Sequence, residues 1–445
     1  MTMRAAGALT LAAGLVIGLG ACAPAGDAGP STEERELVIW DTGILGKLLE
    51  NGEPDLENSF LDQMAVAFEE ANEGVTVTVV QQGGDITANS AQFQAASIAG
   101  DGPDIRIQYA GGPTLSFAEF FTDLEPLLTP EIIDSMAGFN VNREGFSADG
   151  RILGMPYGAG NLFTVFQNHA VLEEAGLDPA DTPDTWEELL ANGQQVVDQT
   201  DKNGFWVANL EGYVGAWMIS ALVGGELGET VFTQMYAGEI PVDDPAMVEA
   251  YEAFAAWGAS GLTNPDAGQV SNGDSTAGFV SGNSAYYLVG SWENNNMLDA
   301  FGEEGVSSFF IPVLDGAAHP NIGAGGPEIA ISVTEYSENK ELAGEFLRFL
   351  ADPANQDIFV KLNQTQGSNH RDGDPAMIEN PLLREQFEQL AEATDGVTFA
   401  FDSVMPQATI DLFYRVNAGV FLGTITPQDA VAQLKASYES EIANQ

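Results

Sequence analysis

Cysteine is almost absent: Cys22 is the only one in 445 residues, which excludes an intrachain disulfide. Basic residues are nearly as scarce. Fourteen Lys and Arg, five of them Lys, stand against 66 acidic residues, for a formal net charge of −52. Such a chain has nothing with which to neutralise phosphates, so nucleic acid is excluded as a partner. The three histidines, His169, His319 and His370, lie far apart in the sequence. They fit neither metal-ligand spacing nor a Gly-x-Ser-x-Gly elbow. Beyond the N-terminal segment no apolar run reaches the length of a membrane helix. Short-period repeats, which a β-rich surface adhesin would show, are missing too.

The N-terminus carries the first positive signal. Arg4 precedes an apolar run from Leu9 to Leu19 that is too short and too Gly-rich to span a bilayer. It ends in Leu19-Gly20-Ala21-Cys22, followed by a Gly/Ala/Pro-rich stretch that reads as a tether. Leu-Gly-Ala-Cys resembles the lipobox of bacterial lipoproteins. The resemblance implies cleavage before Cys22, lipid on its thiol, and attachment to the extracytoplasmic face of a membrane without a spanning helix. The acids are scattered through every segment rather than gathered into a tail, so they form a solvated surface. Self-repulsion on this scale is best tolerated where salt screens it, which points to a salty or otherwise unusual external medium.

About 420 residues after the leader exceed a single hydrophobic core, so two domains are expected. Strand and helix patterns alternate. Glu36 to Trp40, Val75 to Val80 and Asp104 to Tyr109 read as strands, separated by helices around Ser59–Glu70 and Ala91–Ala99. A second block repeats the pattern, with strands at Phe163–Asn168, Ser284–Gly290, Ser307–Val313 and Ile329–Val333. Thr185-Trp186-Glu187-Glu188 is a capping box, and Thr426-Pro427-Gln428-Asp429 opens a final helix. The fold class is therefore α/β, with a mainly parallel sheet covered by helices on both faces in the first lobe.

The order of these pieces resembles the family 1 extracellular solute-binding proteins, the maltose-binding-protein-like subunits of ABC importers. The likeness rests on the strand ending in Trp40, Gly102-Pro103-Asp104-Ile105, and Asp149 to Tyr157. It continues through Leu172 to Leu177 before Thr185-Trp186, Phe279 to Gly282 with Gly290-Ser291-Trp292, Glu338 to Ala343, and Thr426 to Leu434. It implies a two-lobed, type II periplasmic-binding fold with hinge-joined lobes. Residues 1–21 would be the signal peptide and 22–35 the tether. Residues 36–155 with 327–368 would form one lobe, and 156–326 with 369–445 the other. It also implies a monomer without cofactor or catalytic residues, which carries a carbohydrate to permease subunits in the membrane. The long Gly/Asn-rich stretch from Trp40 to Leu56 and the extreme acidity depart from the family pattern.

A sugar offers hydroxyls around its rim and C–H faces above and below the ring. Its site needs flat aromatic platforms beside carboxylates, amides or Arg. In open α/β sheets such sites lie at the carboxyl ends of strands. The resemblance implies crossings between the lobes at Met155-Pro156-Tyr157, Gly325 to Ile331 and Gly367 to Arg371. By the strand-end criterion Trp40, Asp41 and Tyr109 are candidates in the first lobe, and Tyr157 beside the first crossing. Trp217, Trp292 and Glu293 are candidates in the second, and Glu328 and Arg371 flank the later crossings. Trp217 equally suits core packing and Arg371 a surface ion pair. Asp198 to Gly204 resembles a calcium loop, but Lys202 and the missing terminal Glu argue against it. With 66 acids, paired carboxylates of a secreted glycosidase remain the second reading, and a non-sugar ligand the third.

Overall fold

The computed structural model describes residues 35–49, 51–82 and 86–443. The export segment, Cys22 and the tether up to Glu34 lie outside the described residues.

The first sheet follows from parallel pairing of short β-branched strands. β1 (Arg35–Asp41) pairs parallel with both β2 (Val75–Gln81) and β3 (Ile105–Tyr109). β4 (Met155–Tyr157) closes one edge of the order β2-β1-β3-β10-β4, with β10 (Ile329–Val333) antiparallel to its neighbours β3 and β4. Alternation along β1 puts Leu37 and Ile39 into one core, where they meet Ile105, Ile107, Phe68 and Phe346. The opposite face of this sheet carries a smaller cluster of Phe93, Phe121 and Leu153, with Trp40 at its margin.

The second sheet is built around β5 (Asn161–Asn168), buried along its whole length. It includes β6 (Asn203–Trp206), β7 (Ser284–Gly290), β8 (Val306–Phe310), β9 (Gly323–Gly326) and β11 (Val397–Phe399). β5 runs antiparallel to β7, β8 and β9, so this sheet is mixed rather than mainly parallel. Its core holds Trp186, Phe205 and Trp257 beside the apolar helix Tyr213–Leu227.

Three segments run between the sheets. β4 leads through Gly158 to Gly160 into β5, and β9 leads through Pro327 and Glu328 into β10. The third passes Gly367, which bridges Ala159, and His370, which bridges Met136. Met377 and Ile378 still pack against the first core, whereas Leu382 belongs to the second. The last passage therefore falls later than the expected division after residue 368. The two cores are separate clusters that touch beside these passages, where Ala110, Val141 and Ala330 pack into the second.

Candidate ligand site

The residues at the ends of β1 and β3 sort into two kinds. Asp41 is fully buried, and its carboxylate accepts the backbone N–H groups of Ile44, Leu45 and Gly46, at 2.8 Å for Gly46. Burial pushes its pKa up to about 6 against the lowering effect of these amides. Asp41 thus organises the loop that follows β1, and its expected contact with ligand is corrected: no oxygen is left facing outward. Trp40 is half-buried against the small aromatic cluster. Tyr109, at the tip of β3, stays partly exposed.

Tyr109 shares its surroundings with Glu328, on the passage between β9 and β10. The Ala110 N–H donates to the Glu328 carbonyl at 2.7 Å, which ties the tip of β3 to that passage. The Glu328 carboxylate accepts Gln366 Nε2 at 2.9 Å. Burial pushes its pKa up to about 7, and the Gln366 bond only partly offsets this. The Tyr109 hydroxyl is likewise raised by burial, then by the charges of Glu328, Tyr213 and Asp41. Its neighbour Ala110 packs into the second core, so Tyr109 stands beside the contact between the halves.

Tyr213 opens the helix Tyr213–Leu227, preceded by Gly212 in the left-handed conformation. Its ring meets Tyr414 edge-on at 4.7 Å between centroids. Tyr414 donates its hydroxyl to Asp402 Oδ2 at 3.0 Å, and Oδ1 of Asp402 has no partner among the described residues. Burial pushes the Asp402 carboxyl up to about 6, with the Tyr414 bond lowering it. One helical turn after Tyr213, and so on the same face, stands Trp217. It is 8% exposed and packs 5.3 Å from Trp292 at 65°. Phe163 of β5 completes the group, edge-on to Trp292 at 6.3 Å.

Gly290 explains the pose of Trp292. A Cβ on Gly290 would lie 1.8 Å from the indole, so only glycine lets the ring fold back over the end of β7. Gly111 serves a similar purpose between the lobes. Its φ is +72°, and a Cβ there would lie 2.0 Å from the Ser403 carbonyl oxygen. The turn after β3 thereby rests directly on the 399–405 segment of the second lobe.

Of the expected residues, the structure brings Tyr109 beside Glu328 at the tip of β3 and, separately, packs Trp217 against Trp292 in the second lobe, where Trp217 is part of the buried core. The other candidates stand apart. Tyr157 is completely buried in the first core between Phe60 and Phe359, and its hydroxyl donates to the Leu350 carbonyl at 3.0 Å. Its neighbour in sequence makes the passage, but β-alternation turns Tyr157 inward, and its expected role is corrected to core packing. Glu293 is committed to Thr276 Oγ1 at 2.7 Å and Asn296 Nδ2 at 2.9 Å, which places it in the helix-starting turn after Trp292. Arg371 is exposed, and its backbone N–H donates to Ser135 O. Tyr213, Tyr414, Asp402 and Gln366 escaped the sequence reading. The one usable signal was Gly212, a break directly before an aromatic at a helix start.

Residues 63–370 match the bacterial extracellular solute-binding protein family. Among solved structures, a chitin oligosaccharide binding protein is 18% identical with a TM-score of 0.78, over 91% of this chain and 98% of that one. The cyclic α-maltosyl-1,6-maltose binding protein of Arthrobacter globiformis is 18% identical with a TM-score of 0.70, over 92% and 99%. The putative binding protein MsmE of Bacillus subtilis, in an open conformation, is 16% identical with a TM-score of 0.72, over 93% and 100%. These likenesses share the fold, two lobes of mixed α/β structure. No curated protein matches the sequence.

Proposed function

Because the chain belongs to the bacterial extracellular solute-binding proteins, we propose that it captures a sugar or oligosaccharide between its lobes and delivers it unaltered to an ABC permease. Lipid on Cys22 holds it to the outer face of the membrane, and it works as a monomer. The observation that supports this reading most is that each lobe offers aromatic rings with polar groups close by: Tyr109 beside Glu328 in the first, and the Trp217–Trp292 and Tyr213–Tyr414 pairs with Asp402 in the second. Flat rings suit the C–H faces of a pyranose, and the carboxylates of Glu328 and Asp402 suit its hydroxyls. Several solved neighbours of this fold are named for oligosaccharides they bind, which agrees with a sugar here. Ligand bridging the lobes would favour the closed form through contacts made only there.

A thermal-shift screen over neutral oligosaccharides tests the proposal, since a ligand that binds only the folded chain raises its melting temperature. At least one oligosaccharide family should raise it and be recovered intact. A panel without any shift, or recovery of shortened products, would refute it.

A further inference from the structure

One basic side chain lies inside the first lobe instead of on its surface. Arg106 of β3 is 2% exposed, with its guanidinium carbon 3.9 Å from the centroid of Phe93 and 4.8 Å from that of Phe117. Its Nε and Nη1 have no hydrogen-bond partner, and no carboxylate forms an ion pair with it, among the described residues. In a chain with 66 acidic residues, that is a conspicuous arrangement.

The neighbouring side chains on this sheet face are also polar and unpaired. Gln108, two residues along β3, is 3% exposed, and neither of its amide atoms has a partner. Ser332 is the register partner of Arg106 on β10; it is fully buried and its Oγ is unpaired. Asn142, also fully buried, accepts the Gly111 N–H on its Oδ1 but leaves Nδ2 unpaired. A Cβ on Gly154 would lie 3.2 Å from Ser332 Oγ and 3.6 Å from Asn142 Cγ, so these two converge on one spot. The set is rich in donors and carries one positive charge.

A buried charge without a counter-charge is strongly disfavoured, and ring faces return only part of that cost. Burial draws the Arg106 pKa down to about 9, so the group is still charged at neutral pH. Water could meet the donors but not the charge. We propose that the Arg106–Gln108–Asn142–Ser332 centre binds a single monovalent anion of halide size, chloride in a saline medium. Each of the four residues is at most 3% exposed, so the centre is closed to bulk solvent, which favours a small anion. The anion supports the floor of the first lobe, because Trp40 of β1 is the register partner of Arg106.

Melting of the mature chain at fixed ionic strength tests this, in sodium chloride, bromide or gluconate. Chloride and bromide should raise the melting temperature saturably over gluconate, and Arg106→Met should abolish the difference. Ser332→Ala, a small change that keeps the guanidinium, should weaken the chloride response and carries the test if Arg106→Met does not fold. Crystals grown in bromide should show an anomalous peak against the guanidinium. A wild-type chain indifferent to the anion, a response unchanged in these variants, or density for water alone would overturn the proposal.

Discussion

At Trp292 the indole is partly exposed and packs at steep angles against Phe163 and Trp217. Truncating a central aromatic of this kind costs ~2 kcal/mol of binding, so Trp292→Ala should weaken sugar affinity about thirtyfold by calorimetric titration. Tyr157→Phe provides the contrast. It removes one buried hydrogen bond, costs ~1 kcal/mol of stability, and leaves affinity unchanged. Glu328 gives a pH signature. Its folded pKa stands near 7 against an ordinary 4.5, so the folded protein keeps a proton that the unfolded chain releases. That contribution to stability is complete below about pH 4.5 and is lost as pH rises through 7. Melting curves across this window should therefore fall with pH, and Glu328→Gln should flatten the fall. An identical slope in the variant would show that Glu328 is not the titrating group.

Among elements, the glycine turns decide where the aromatic groups can stand. Gly290→Ala drives a methyl group into the Trp292 ring and should reproduce the binding loss of Trp292→Ala with little change in melting. Gly111→Ala instead adds a left-handed backbone penalty of about 1–2 kcal/mol to its clash with Ser403 O, and should lower the melting temperature. Titration and melting on both variants separate the two effects, and a reversed pattern would contradict this account of the turns. The same scale shows what the sequence makes legible. Capping chemistry is local, so Ser59, Thr185 and Thr426 correctly mark the starts of Phe60–Ala71, Trp186–Gln199 and Pro427–Ile442. Ile329–Val333 and Ser284–Gly290 emerge with the expected bounds, because continuous apolar runs between turns fit buried strands. Tyr213 and Tyr414 were not legible. The helix Tyr213–Leu227 is apolar on nearly every side and so has no periodicity to single out its first residue. Tyr414 acquires its meaning from Asp402 and Tyr213, which only tertiary folding brings near it. Tyr157 misled for the converse reason: strand alternation, not proximity to a crossing, decides which way a side chain points.

For the whole molecule, charge is the dominant constraint. Arg35–Glu345, Arg151–Glu144, Lys340–Glu335 and the pairs of Lys435 with Asp243 and Glu439 are largely exposed. Such pairs contribute little each, and they leave most of the 66 carboxylates uncompensated. Screening length shrinks from ~10 Å at 0.1 M salt to ~3 Å at 1 M, so the urea midpoint should rise clearly over that range. Sugar affinity should rise with it, since the proposed closure would bring two acidic lobes together. Insensitivity of both to salt would contradict this view of the surface.

Closure itself can be read as a distance. Cys22 is the only cysteine, so replacing it frees the chain for a pair of spin labels at Glu119 and Asp299, exposed positions on opposite lobes. Addition of the sugar found by screening should shorten and narrow the distance distribution, and Trp292→Ala should shift that change to higher sugar concentration. A distribution that stays fixed while the sugar binds would contradict a ligand held between two moving lobes.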